Sequence, residues 1–322
     1  TRVAVMKSSI LIENGDLNLG DSLKAKLKFV NAKVSVQPSV DNLKIPSIHS
    51  EFKIDSTGIN SKGRFFAITK GNYDLSSTKV GKKWPIKGDI YFDQLYAYTP
   101  TFPLLLKMPK TQFSFKPGVI SLDHAKIEIG SSDIEASGKL YEFGDAFFDD
   151  KMLKGELEVN SSMLDINELI QAMNQGEQPV ERSAEEILAE DTNVDTSATS
   201  EQPKSFVVPE RLDHSLTSMF DKVKYKRFDM DDNVGIITVK DHKIDLTNLQ
   251  MTTMAAQMST SITYESKVKG TAALDFDFKL ADIDLSKLTE LMPVLDTILP
   301  MADSFEGKVN FRMKGNTKVD NN

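Results

Sequence analysis

Leu23-Lys24-Ala25-Lys26-Leu27-Lys28-Phe29 alternates apolar and charged side chains without a break. Successive side chains of a strand point to opposite faces, so this stretch reads as a β-strand with one greasy and one wet side. The same habit recurs at Ile48–Asp55, Ile86–Phe92, Gln112–Lys116, Lys126–Ile129, Ile134–Leu140 and Glu156–Ser161. It resumes at Gly235–Lys240, Lys243–Leu246, Gln257–Tyr264, Ala272–Ala281 and Lys308–Lys314. Gly, Asn and Asp punctuate the runs, which points to hairpins and a meander and away from βαβ crossovers.

Two short helices interrupt this pattern. Asp165 can cap one whose apolar face is Ile166, Leu169, Ile170 and Met173. Asp284 can cap a second, carrying Leu285, Leu288, Leu291, Met292, Leu295 and Ile298, which Pro293 should kink or split. They expose an internal repeat. Leu157-Glu-Val-Asn-Ser-Ser-Met-Leu-Asp-Ile-Asn-Glu-Leu aligns without gaps on Phe276-Asp-Phe-Lys-Leu-Ala-Asp-Ile-Asp-Leu-Ser-Lys-Leu, an offset of 119 residues. Upstream, Val119-Ile-Ser-Leu and Lys243-Ile-Asp-Leu each open the preceding hairpin, about 124 residues apart.

The expected fold is mainly β with a minor helical part. Two tandem antiparallel β-rich modules, residues 1–173 and 206–322, are expected to form an elongated, twisted sheet that can curl into a trough. Residues 174–205 read as an acidic insertion. Within it, residues 176–203 hold eight acidic side chains and one arginine. That composition buries too little apolar surface to offset the entropy of ordering. A short helix at Ala184–Glu190 fits the same stretch.

Charge and composition narrow the function. The net charge is −8, and outside residues 176–203 acids and bases nearly balance. No basic surplus exists to neutralise phosphates, which speaks against nucleic-acid binding. Absence of cysteine excludes disulfides, thiolate catalysis and cysteine-ligated zinc. The four histidines, His49, His124, His214 and His242, share no ligand spacing, so no metal site is expected from them. Asp229-Met-Asp-Asp-Asn-Val-Gly235 resembles a calcium loop only in part. Its glycine is one place late and Lys240 stands where a bidentate glutamate belongs, so a hairpin turn is expected there. No nucleophile elbow, P-loop or dinucleotide fingerprint occurs, and no catalytic residue or cofactor is expected. Tyr91, Phe92, Leu95, Tyr96, Tyr98 and Phe102-Pro-Leu-Leu-Leu106 form an unusually apolar stretch. It reads as a packed junction between strands, or as a patch facing a ligand or membrane. No run of about 18 apolar residues is present. The chain starts at Thr1 and ends just past a strand, so a fragment of a longer protein is expected.

Several stretches resemble AsmA-family proteins of the Bacteroidetes type. These are Tyr98-Thr-Pro-Thr-Phe-Pro, Ile127-Glu-Ile-Gly-Ser-Ser-Asp-Ile-Glu-Ala-Ser-Gly138 and Leu153-Lys-Gly-Glu-Leu-Glu-Val-Asn-Ser-Ser-Met-Leu-Asp-Ile-Asn. The second half adds Ile237-Thr-Val-Lys-Asp-His-Lys-Ile-Asp-Leu-Thr-Asn-Leu-Gln-Met, the Phe276 segment above and Leu299-Pro-Met-Ala-Asp-Ser-Phe-Glu-Gly307. The likeness covers roughly residues 85–173 and 206–322. It implies a periplasmic module whose parent is anchored in the inner membrane, acting in outer-membrane assembly and phospholipid transport through an apolar β groove. The implied partners are phospholipid or another acyl-chain lipid, the membrane through an anchor outside these residues, and envelope proteins. If the apolar face stays uncovered, Leu157 and Val159 in one repeat, and Leu274, Phe276, Phe278 and Leu280 in the other, would meet acyl chains. A closed sandwich, with those residues packed inside, is the alternative arrangement. An envelope scaffold without lipid is the alternative function.

Overall fold

The computed structural model describes residues 3–20, 23–100, 102–148, 151–175, 207–226, 228–253, 256–268, 270–284 and 307–320. The chain divides into two compact units, Thr1–Glu156 with Glu168–Glu201, and Leu157–Asn167 with Gln202–Asn322. The acidic stretch and the second expected helix, Asp284–Ile298, fall almost wholly outside the described residues.

The first unit is a meander of long strands: β1 (Met6–Asn18), β2 (Lys24–Pro38), β3 (Pro46–Ser61), β4 (Arg64–Thr78), β5 (Ile86–Thr99), β6 (Phe102–Lys116), β7 (Val119–Ile129) and β8 (Ser132–Tyr141). Each pairs antiparallel with the next. Helix α1 (Phe143–Phe148) follows, then β9 (Leu153–Ser161), in which the boundary between the units falls. The short strand β10 (Leu164–Asp165) leads into helix α2 (Ile166–Gln175). The second unit continues with β11 (Leu212–Tyr225), β12 (Phe228–Lys240), β13 (Lys243–Thr253), β14 (Ala256–Glu265), β15 (Thr271–Asp284) and β16 (Lys308–Asp320), again antiparallel neighbours. The short β10 pairs with β11 in parallel, through Leu164 with Val223.

The fold is therefore mainly β, and it is open. Strand order follows chain order, so neither unit's first strand returns to pair with its last. Within each unit the substantial contacts between described elements run between hydrogen-bonded neighbours. The expected strands are all present, and most are longer than alternation alone marks.

The first strand read from the sequence contains a surprise. Phe29 is 48% exposed while Val30 beside it is buried. Phe29 adopts φ 51°, and so do Lys70 (48°) and Lys110 (45°) in alternate strands. The register places them in one transverse row running Glu13, Phe29, Asp55, Lys70, Asp93, Lys110, where pairing is interrupted in every strand pair from β1 to β6. No residue is inserted there, but the pleat changes phase. Leu27 and Val30 end up on one side, as do Ile68 and Gly71, where an added Cβ would meet Ile68 Cγ2 at 2.9 Å and Ile54 Cγ2 at 3.0 Å. Left-handed residues flip the side-chain order within a strand, and a strict period of two cannot register them.

Asp229–Gly235, expected as a hairpin turn, lies inside β12. Asp232 (φ 53°) forms a bulge there, and Asn233 is buried, donating from Nδ2 to the Met230 carbonyl at 2.7 Å. A short polar side chain that satisfies the bulged backbone removes the need for a turn.

The internal repeat is carried by backbone geometry. β7 and β8 stand to β13 and β14 at an offset of 124 residues, in start, end and pairing. Each pair has a register shift at the same place, Leu122/Ala125 and Leu246/Leu249. Left-handed His124 and Asn248 sit in those shifts. Helix α1, absent from the sequence reading, occupies the longer link between β8 and β9, whereas β14 and β15 are joined directly. That insertion accounts for the shorter offset of the following strand. Asp165 caps α2 as expected, its Oδ1 accepting from the Asn167 amide at 3.0 Å.

Close strand approach sets a test. Gly88 has φ 129°, and a Cβ there would overlap the Asp74 carbonyl oxygen across the β4–β5 pair. Gly88→Ala should destabilise the protein by about 3 kcal/mol, read as a lowered Tm. Gly144→Ala in α1, with nothing within 4 Å, should leave the unfolding free energy within about 1 kcal/mol of the parent.

Candidate functional site

Directly paired residues in adjacent strands share a face, so the registers trace each side of a sheet across its strands. In the second unit Leu274, Phe276, Phe278 and Leu280 face Tyr264, Ile262, Thr260 and Met258 on one flank. On the other flank they face Thr317, Gly315, Met313 and Phe311. The row extends through Ile244, Leu246, Leu249 and Met251 of β13 to Val239 and Ile237 of β12. The result is one apolar face over five strands.

Its local packing follows from size. The rings of Phe276 and Phe278 lie 5.2 Å apart at 39°. Phe276 lies over Gly315, where an added Cβ would come within 2.8 Å of its Cζ. A glycine thus makes room for the ring, and the ring covers a bare stretch of backbone. Leu280 packs on Ala256 and Ile283, the most buried cluster of this unit. Thr260, opposite Phe278, is 4% exposed, and its Oγ1 has no hydrogen-bond partner among the described residues.

All six groove candidates are half-buried. Leu274, Phe276, Phe278 and Leu280 are brought together. Leu157 and Val159 lie on β9, separated from β15 by four strands in the hydrogen-bonded order. At about 4.8 Å per step that is some 24 Å, so the six do not form one pocket.

The opposite side of β15 is polar, as the alternation of Asp275 and Asp277 implies. Arg312 grips Asp277 with two hydrogen bonds, Nε at 2.9 Å and Nη2 at 2.6 Å. The fork holds the Asp277 carboxyl below its ordinary range, and Asp277 in turn raises the guanidinium.

The first unit repeats this two-sided plan. Phe52 stacks on Tyr73 with centroids 5.1 Å apart, and Phe92 meets Phe113 at 6.0 Å. Phe143 of α1 covers Phe115 edge-on at 5.8 Å. In the apolar stretch over β5 and β6, Phe92, Tyr98 and Leu104 are buried, while Tyr91, Leu95, Tyr96, Phe102, Leu105 and Leu106 are half-buried. Phe65 and Tyr98 form a small cluster with Ala67, Tyr96 and Leu105. It occupies the side opposite to Phe66 and Ala97.

One cluster was invisible in the linear sequence. His49, Glu51 and Asp74 offer ligand atoms within 4.8 Å of one another. Glu51 and Asp74 are directly opposed across β3 and β4. Like charges so placed repel. His49 reaches both, at 3.3 and 3.5 Å, and Lys33 lies 3.9 Å from Glu51. Ligand spacing along the chain cannot show a set assembled across strands.

No family model, curated protein or solved structure matches this chain.

The Asp277–Arg312 pair predicts a pH dependence. A carboxyl held low in the folded state contributes stability above its unfolded pKa, and loses it as pH falls through the folded value. Arg312→Ala should therefore lower Tm at neutral pH. The gap to the parent should close in acid, as a pH series of thermal melts would show.

Proposed function

We propose that this protein carries lipid acyl chains on the apolar face of its open sheet, as a non-enzymatic cell-envelope module of the AsmA-like kind. The observation that carries this reading is the continuous row through Ile262, Phe276, Phe278 and Leu280. These side chains are only half-buried, in a single layer of strands. A sheet face of this length is normally sealed by a second layer. Hydrocarbon tails can take that place, each methylene contributing about 0.8 kcal/mol. About eight methylenes then supply some 6 kcal/mol before the cost of ordering the chain, enough for reversible capture without a specific polar contact. The AsmA-like segments supply the rest of the proposal: a periplasmic setting, a parent protein anchored in the inner membrane, and phospholipid as cargo for outer-membrane assembly.

A scaffold role has one feature in its favour. Strand β1 pairs only with β2 among the described residues, and its Met6, Ile10, Leu11 and Leu17 are exposed. A bare apolar edge of this kind accepts a strand from another protein.

Lipid extraction of the purified chain followed by mass spectrometry decides between them. Phospholipid should co-purify, and Phe276→Asp with Phe278→Asp should reduce it at least tenfold, since each change places a charge where a methylene chain lies. Lys279→Ala, on the polar side, should leave the lipid content intact. Lipid-free parent protein, or equal lipid in the double variant, would sink the groove and leave the scaffold.

A further inference from the structure

The ends of the strands in the first unit differ from each other. At one end the connections are tight. Lys62 and Gly63 form a two-residue turn with both φ positive, and Gly130-Ser131 close β7 onto β8. Leu19 is the one exposed large apolar side chain in the described turns of that end. At the other end two longer loops, Ser39–Ile45 and Lys79–Pro85, stand side by side, joined by the Lys79 amide donating to the Pro46 carbonyl at 3.1 Å. The segment before β1 joins them, the Val3 amide donating to the Leu43 carbonyl at 3.2 Å.

These loops hold apolar side chains out in water. Val40 is 97% exposed, Val80 65%, Val5 63%, Leu43 50% and Trp84 40%. Internal hydrogen bonds keep the loops in shape: Ser39 to Ile45 at 2.7 Å, Ile45 to Asn42 at 2.9 Å, and Val80 with Lys83 in both directions at 2.9 and 3.0 Å. The exposure is thus a property of built loops. Between the apolar tips stand Lys44, Lys79, Lys82 and Lys83 against a single acid, Asp41. Lys83 is engaged by Asp145 of α1 at 2.9 Å. Lys44, Lys79 and Lys82 have no ion-pair partner among the described residues. The nearby acids are already matched, Asp145 also by Lys151 at 3.0 Å and Glu142 by Lys154 at 3.4 Å.

We infer that this rim docks on an anionic membrane surface. Trp84 and the valines would enter the headgroup boundary while Lys44, Lys79 and Lys82 meet lipid phosphates. Tryptophan favours that boundary, and lysines extend a long apolar stem beneath a charge that stays wet. Several lysines near the surface are attracted by anionic lipid, and the attraction weakens with salt. A protein partner would more often meet aromatic and arginine anchors than a lysine-rich tip, because lysine is depleted at such interfaces. This surface is independent of the acyl-chain face proposed above.

Trp84 is the only tryptophan, so its fluorescence reports on the rim alone. Vesicles of phosphatidylcholine with about one-third phosphatidylglycerol should shift its emission to the blue and protect it from aqueous quenchers; pure phosphatidylcholine should do so far less. Lys79→Glu with Lys82→Glu should weaken vesicle partitioning about tenfold or more, as should high salt. Val40→Asp with Val80→Asp should abolish the shift, with circular dichroism checking that the exposed loops tolerate both changes. The Phe276→Asp, Phe278→Asp variant should keep the full shift, which separates a failed groove from a failed rim. Unchanged emission with anionic vesicles, or equal partitioning of the parent and the lysine variant, would overturn the assignment; the first result would point to a protein partner.

Discussion

Each strand in this molecule is held by the strands beside it, through backbone hydrogen bonds and the cross-strand side-chain pairs those bonds align. Where a globular domain adds a second layer and a shared interior, the described elements here add almost none. Buried apolar residues are correspondingly scattered, in small groups such as Phe65 with Tyr98 and Ala256 with Ile283. Cohesion is thus local and repeated along the chain. Long strands compensate, since every added residue extends two ladders at once.

That constraint explains the irregularities. A long two-sided strand has to keep its apolar residues on one side over fourteen or fifteen positions, while the sheet twists beneath them. The transverse row at Phe29, Lys70 and Lys110 resets the pleat in β2, β4 and β6 at the same height. Because the reset is shared, neighbours stay in register on both sides of it. The row is also charged: the Tyr91 hydroxyl, donating at 2.6 Å, is the main cause that lowers the Asp93 carboxyl, and Lys70 at 3.6 Å lowers it further. Polar side chains at a height where regular pairing lapses can satisfy the backbone or water without facing the greasy side.

Much of this plan is legible in the sequence, because alternation over a few residues is a direct statement of which side is wet. The strands, the Asp165 cap, the polar placement of Asp277 and the grouping of Leu274, Phe276, Phe278 and Leu280 all follow from it. What escaped depends on facts that alternation does not encode. Phe29 is displaced by a backbone flip. Asp229–Gly235 is a bulge held by Asn233, although its composition matches a turn. Helix α1 is a single short element with no periodic signal, and His49, Glu51 and Asp74 meet only through strand pairing. Leu157 and Val159 share a motif with the β15 row but not its location, since a repeat places its copies side by side and does not superpose them.

The duplicated irregularity at His124 and Asn248 has an evolutionary side. A kink reproduced at one height in both copies lets a further copy be stitched on without redesigning any interior, because each new segment needs only a compatible flank. A chain built on such a repeat can gain or lose whole groups of strands without rebuilding the ones it already has.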